Sequence, residues 1–93
     1  MKLRLTAPVA RQLDRVLAYI DQHNPQGARH VQARIREVMV LLLQHPYAGH
    51  LRGQRVRRFA LPRYPYLVFY RVNEGADEIE VLTVHDAARQ EKN

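Results

Sequence analysis

The stretch Arg63-Tyr64-Pro65-Tyr66-Leu67-Val68-Phe69-Tyr70-Arg71-Val72 decides how this 93-residue chain folds. From Tyr66 onward it is filled with β-branched and aromatic residues, and Pro65, which has no N–H to donate, fits only the first position of a ladder. Side chains alternate across a strand, so Tyr66, Val68, Tyr70 and Val72 share one face while Leu67 and Phe69 share the other. A strand that is apolar on both faces is a central one. Arg71 interrupts the second face near its end, where a long stem can carry the guanidinium out to a rim.

The neighbours of this strand follow from punctuation. Downstream, Asn73-Glu74-Gly75-Ala76-Asp77 has hairpin length and contains glycine, and Glu78 to Val84 reads as a strand with Ile79, Val81 and Thr83 opposite Glu80, Leu82 and Val84. His85-Asp86-Ala87-Ala88-Arg89 then trails into a polar tail. Upstream, Arg55 to Leu61 is a strand, basic at its start and apolar at its end, and Pro62 to Pro65 turns it into the central one. Tyr47 to Gln54, with Gly49 and Gly53, reads as a loop.

The first half of the chain supplies the cover. Lys2 to Leu5 alternates like a short edge strand, and Thr6 can cap a helix that tolerates Pro8 in its first turn. Val9, Leu13, Val16, Leu17 and Ile20 then recur at helical spacing, which predicts a helix from Ala7 to Gln22. Asn24-Pro25 pairs a preferred N-cap with a residue already at helical φ, so a second helix begins at once. Ala28, Val31, Ile35, Val38 and Leu42 form its stripe, and by Val38-Met39-Val40-Leu41-Leu42-Leu43 it is apolar nearly all round. That half either lies between its partner helix and the sheet or leaves a groove for another chain. His45-Pro46 ends it. The predicted class is α+β: an N-terminal strand, a helical hairpin, then a three-strand antiparallel meander, one domain over residues 1–93.

Composition narrows the function. A chain this short buries only about 60–65% of its unfolded surface, so the core is modest. There is no cysteine, hence no disulfide framework and no thiolate nucleophile, and no apolar run approaches the roughly 20 residues of a membrane span, which fits a soluble cytoplasmic protein. The formal charge is +6, and it is unevenly spread. No acidic residue stands between Glu37 and Glu74, while Arg52, Arg55, Arg57, Arg58, Arg63 and Arg71 all do. Such a run suits an anionic partner, whether nucleic acid, an acidic protein segment or an acidic enzyme surface, although a solubilising excess of charge is the plainer account.

Catalytic signatures are sparse. The five histidines show no zinc-motif spacing, and the sequence contains no phosphate-binding glycine loop, nucleophile elbow or paired-carboxylate constellation, so neither metal nor cofactor is expected. His85 stands apart, next to Asp86 and four residues before Arg89. It can serve as a general acid or base oriented by a carboxylate, or as a strand-end residue bonding backbone. Tyr47 and Tyr64, flanked by loop residues, are the aromatics expected at the surface, where they could stack on unpaired bases, and Tyr66, Phe69 and Tyr70 are expected in the core.

Several of these segments, taken in order, are familiar. Ala7-Pro8 opening a helix, Tyr19-Ile20 near its end, Asn24-Pro25, His45-Pro46-Tyr47-Ala48-Gly49, Val56-Arg57-Arg58, Tyr66-Leu67-Val68-Phe69-Tyr70-Arg71-Val72 and Ile79 through Arg89 resemble the RelE/ParE superfamily of type II toxin–antitoxin toxins, most closely its ParE branch. The resemblance implies a toxin that inhibits DNA gyrase by protein binding, with no catalytic residue of its own, and that is neutralised by a ParD-like antitoxin wrapping its groove and basic face. Arg55, Arg57, Arg58, Arg63, Arg71, His85 and Arg89 are then the residues expected to touch target or antitoxin. The RelE branch implies the alternative, a ribosome-dependent mRNA endoribonuclease with His85 and Arg71 in catalytic roles. Against it, the loop Tyr47 to Gln54 carries no carboxylate and no tyrosine follows Tyr70. A third reading is an inactive relative that keeps only antitoxin binding.

Overall fold

The computed structural model describes residues 1–87. Strand β1 (Lys2–Leu5) leads into helices α1 (Ala7–His23) and α2 (Pro25–Gln44), followed by β2 (His50–Leu51), β3 (Val56–Ala60), β4 (Tyr66–Asn73) and β5 (Glu78–Asp86). The five strands form one sheet in the order β1-β5-β4-β3-β2, parallel between β1 and β5 and antiparallel elsewhere. The expected α+β class holds, with β4 central and β1 at an edge. The sheet gains one strand over the expected four, because His50 and Leu51, inside the predicted loop, pair with Arg58 and Arg57.

The helix ends form where the capping residues stand. Thr6 Oγ1 accepts from the Val9 N–H at 3.4 Å, and Asn24 Oδ1 accepts from the Gly27 N–H at 3.0 Å, each satisfying a donor that the first turn leaves without a helical partner. Both helices pack on one face of the sheet. Val9 of α1 and Val31, Ile35, Val38, Met39 and Leu42 of α2 meet Val68 and Tyr70 of β4 and Ile79, Val81 and Val84 of β5 in a single cluster. Leu42, Val68, Tyr70, Ile79, Val81 and Val84 are the most deeply buried, each worth about 1.5–3 kcal/mol of apolar burial.

The ladder between β4 and β5 contains an irregularity that the alternation of the sequence does not show. Phe69 pairs with Thr83 but Tyr70 pairs with Val81, so Leu82 has no counterpart and the register slips by one. Val84 therefore joins Ile79 and Val81 in the core in place of the expected Thr83, and His85 turns to the opposite face, across from Leu67. The strand also runs two residues beyond its predicted end, through Asp86. Phe69, expected in the core, lies on that opposite face and is half-buried, whereas Tyr64, expected to be exposed, is half-buried and packs against the core. Near the end of α2, Val38, Met39 and Leu42 are covered while Val40 is 55% exposed, so the apolar surround is only partly used by the fold.

Candidate interaction surface

Tyr70 organises the end of the sheet where the arginines collect. Its ring is fully buried, and its hydroxyl donates to the Pro46 carbonyl at 2.7 Å while accepting the Gly49 N–H at 2.8 Å. Burial holds its phenol above the ordinary value, with the Gly49 hydrogen bond and the charge of Arg57 opposing. One hydroxyl of β4 thereby fixes the segment that follows α2. Gly49 is required there, since a Cβ would stand 2.7 Å from Tyr70 Oη and 3.0 Å from the Arg58 carbonyl oxygen.

Arg57 fastens the same segment from β3. Its Nη1 donates to the carbonyls of Tyr47 at 3.2 Å and Gly49 at 2.9 Å, and its guanidinium lies 5.0 Å from the centre of the Tyr47 ring. Arg57 is thus a structural strut as well as a surface cation. Beside it, a groove of about 730 Å³ is lined by Arg55, Arg57 and Arg71, by Tyr47, Leu51 and Val72, and by Glu74 and Glu80. Tyr47 and Leu51 are 51% and 59% exposed, large apolar surfaces left bare next to cations. Hydrogen bonding to Glu74 is the first cause holding the Tyr47 phenol above its usual value, with burial next.

The carboxylates in this groove correct the picture of a patch of one sign. Arg71 Nε lies 3.7 Å from Glu80 Oε1, because the β4–β5 ladder sets the two residues opposite each other. Glu74 and Glu80 fall just past the acid-free run in sequence and fold back onto it. The signal that reveals Glu80 is the hairpin around Gly75, which returns β5 antiparallel to β4.

The other predicted residues lie elsewhere. Arg58 sits opposite Phe69 and His50 on the sheet face away from the helices, and Arg63 is exposed in the turn before β4. On the same open face the His85 ring stacks on Phe69, with centroids 5.2 Å apart and an interplanar angle of 11°. Its Nδ1 is 3.4 Å from the Asp86 backbone carbonyl, a long contact that matches the strand-end alternative. His85 also borders a second groove, about 490 Å³, with Gln12, Arg15, Tyr19, Tyr66 and Asp86, on the far side of β4 from Arg55. Arg89 lies outside the described residues. Among the described residues no group of histidines and carboxylates is arranged to hold a metal ion, and no helix is long and apolar enough to cross a membrane.

One further residue was not legible in the sequence. Gln12, on α1, accepts the Val84 N–H at 2.8 Å and the Thr83 hydroxyl at 3.1 Å, taking the place of a strand partner where β5 outruns β1. Between the helices and β1 lies an apolar groove of about 570 Å³, bordered by Leu5, Leu13, Leu17, Met39, Val40 and Leu43. It is the uncovered remainder of the apolar end of α2.

The sequence model of the family described as ParE toxin of type II toxin-antitoxin system, parDE, matches residues 3–91. Y4kP of Sinorhizobium fredii, a protein assigned as a toxin, is 33% identical over 90 residues, covering 96% of this chain and 91% of its own. A solved chain described as belonging to a chromosomal ParDE TA system from P. aeruginosa superposes with a TM-score of 0.77 at 26% identity, over 92% of this chain and 95% of that one. A central strand flanked by capped helices, an arginine-lined groove and a match along nearly the whole sequence lead to one assignment: the chain belongs to the ParE toxin family of type II toxin–antitoxin systems.

Proposed function

We propose that this chain is the toxin of a ParDE-type module, that it inhibits DNA gyrase by binding it, and that a ParD-like antitoxin neutralises it in the cytoplasm. The observation that carries the reading is the groove beside β4. Its wall of Arg55, Arg57 and Arg71, its bare Tyr47 and Leu51 and its own carboxylates form a mixed apolar and charged surface of the kind that accepts a polypeptide. The apolar groove along α1, α2 and β1 supports a second polypeptide contact, suited to an amphipathic antitoxin segment. In this reading the protein acts without acid–base chemistry of its own.

The test is a supercoiling assay with purified toxin and gyrase, paired with a translating extract. Inhibited supercoiling with intact mRNA is the expected result. Cleavage at ribosomal A sites with unimpeded gyrase would overturn it. One observation favours the endoribonuclease reading: the register slip at Leu82 puts His85 on the open face shared by Arg58 and Arg71. On that reading His85→Ala abolishes toxicity without weakening antitoxin binding. On the gyrase reading mRNA stays intact with or without this substitution.

A further inference from the structure

We infer that the free edge of the sheet, along the β2–β3 hairpin, is a contact for the phosphate backbone of duplex DNA. Arg52, Arg58 and Arg63 follow β3 from one end to the other, at the turn before it, at its middle and at the turn after it. No side chain of the three has a hydrogen bond or ion pair within the described residues, and none lines the groove beside β4. They are therefore separate from the surface assigned to polypeptide binding. The backbone here is held away from ordinary geometry: Gln54, Arg55 and Arg63 take φ of 35°, 67° and 72°, in the left-handed region that costs a side-chain-bearing residue about 1 kcal/mol or more. Strain at both ends of one cationic edge, with the first turn, residues 52–55, wholly exposed, points to a use outside the fold.

Several observations favour a nucleic acid over an acidic polypeptide. Residues between these cations, Gly53, Gln54, Ala60 and Pro62, are exposed and carry no large apolar side chain, and Leu51, the large apolar residue exposed on the hairpin, lines the groove beside β4, whereas protein interfaces depend on such anchors. An electrostatic contact without anchors is the way proteins hold phosphates. The five residues of β3 span about 16 Å, against which a duplex presents on the order of ten phosphate charges. A two-stranded ribbon is also narrow enough to approach a major groove. The choice of a duplex leans on the gyrase reading above, because an inhibitor of that enzyme works where DNA is already bound.

The experiment is fluorescence anisotropy of a short labelled duplex with the purified chain and no gyrase, titrated at several salt concentrations. Three phosphate contacts predict a log–log salt slope of about −2.7, or roughly a 40-fold loss of affinity for a four-fold rise in salt. The variant Arg52→Ser/Arg58→Thr/Arg63→Asn should flatten that slope to near zero, Asn being chosen because it tolerates the left-handed region. A control with the same charge change, Arg11→Ala/Arg15→Ala/Arg29→Ala on the exposed sides of α1 and α2, should keep most of the slope. Equal losses in the two variants, or no binding at low salt, would overturn the inference. So would an edge variant that keeps DNA but loses binding to poly-glutamate, which would make the edge a protein-docking element. With gyrase absent, failure here leaves the gyrase reading standing, and a DNA contact without supercoiling inhibition would refute that reading alone.

Discussion

The Tyr70 hydroxyl is the point at which a single oxygen holds the surface loop to the core, and removing it gives a calculable result. Tyr70→Phe deletes the donor to the Pro46 carbonyl at 2.7 Å and the acceptor of the Gly49 N–H at 2.8 Å. A ring of the same shape remains, so the cost is almost wholly polar. The Gly49 N–H is buried and becomes unpaired, which costs about 1–3 kcal/mol, with a smaller loss at Pro46. About 2 kcal/mol in total corresponds to a fall in Tm of about 8–16 °C for a domain this size. Gly49→Ala attacks the same joint from the other side, with its Cβ 2.7 Å from Oη and 2.8 Å from Cε1, and should cost about 1–3 kcal/mol by overpacking. The double variant loses the Oη clash and should be less destabilised than the sum by at least about 0.5 kcal/mol. Urea melts followed by circular dichroism measure all three. A Tyr70→Phe protein within about 0.5 kcal/mol of wild type, or strict additivity in the cycle, would refute the idea that this oxygen joins loop and sheet.

Other outcomes follow from the same kind of reasoning. The Tyr70 phenol is raised above 10.0 in the folded chain, so from about pH 10 upward the unfolded state gives up its proton first and stability falls until the folded value is passed; alkaline melts of Tyr70→Phe should show less of this decline. Gln12→Ala should leave the Val84 amide without its acceptor, lowering stability by about 1–3 kcal/mol, and hydrogen exchange should report faster exchange at Val84 than at Ile79. Asn24→Ala removes the cap of α2 and should cost about 1 kcal/mol in a chemical melt, a loss that Asn24→Ser largely restores. Glu80→Gln breaks a contact of 3.7 Å between partly exposed partners and should change stability by less than about 1 kcal/mol, while making the groove more positive and strengthening its binding to acidic peptides in a titration.

Much of the architecture is carried by local signals. Thr6 and Asn24 mark the helix starts, His45-Pro46 marks the end of α2, and the composition of Tyr66 to Val72 identifies the central strand; each works through its own backbone geometry or hydrogen bonding and needs no distant partner. The family was legible too, since it rests on the order of such segments along the whole chain. The site was legible only as a list of arginines. Their grouping depends on pairings between residues far apart in sequence: Arg57 reaching the carbonyls of Tyr47 and Gly49, Glu80 set across from Arg71, and Arg52, Arg58 and Arg63 left along an edge.

The sequence by itself determined a two-helix cover over a sheet centred on Tyr66–Val72, because periodicity and capping act within a few residues. Tertiary structure alone decided which way β5 faces after Leu82. One unpaired residue there inverts the alternation, brings Val84 inward and sends His85 to the open face beside Phe69. Alternation along one strand cannot reveal such a slip, because it arises only when that strand must match the spacing of the strand beside it.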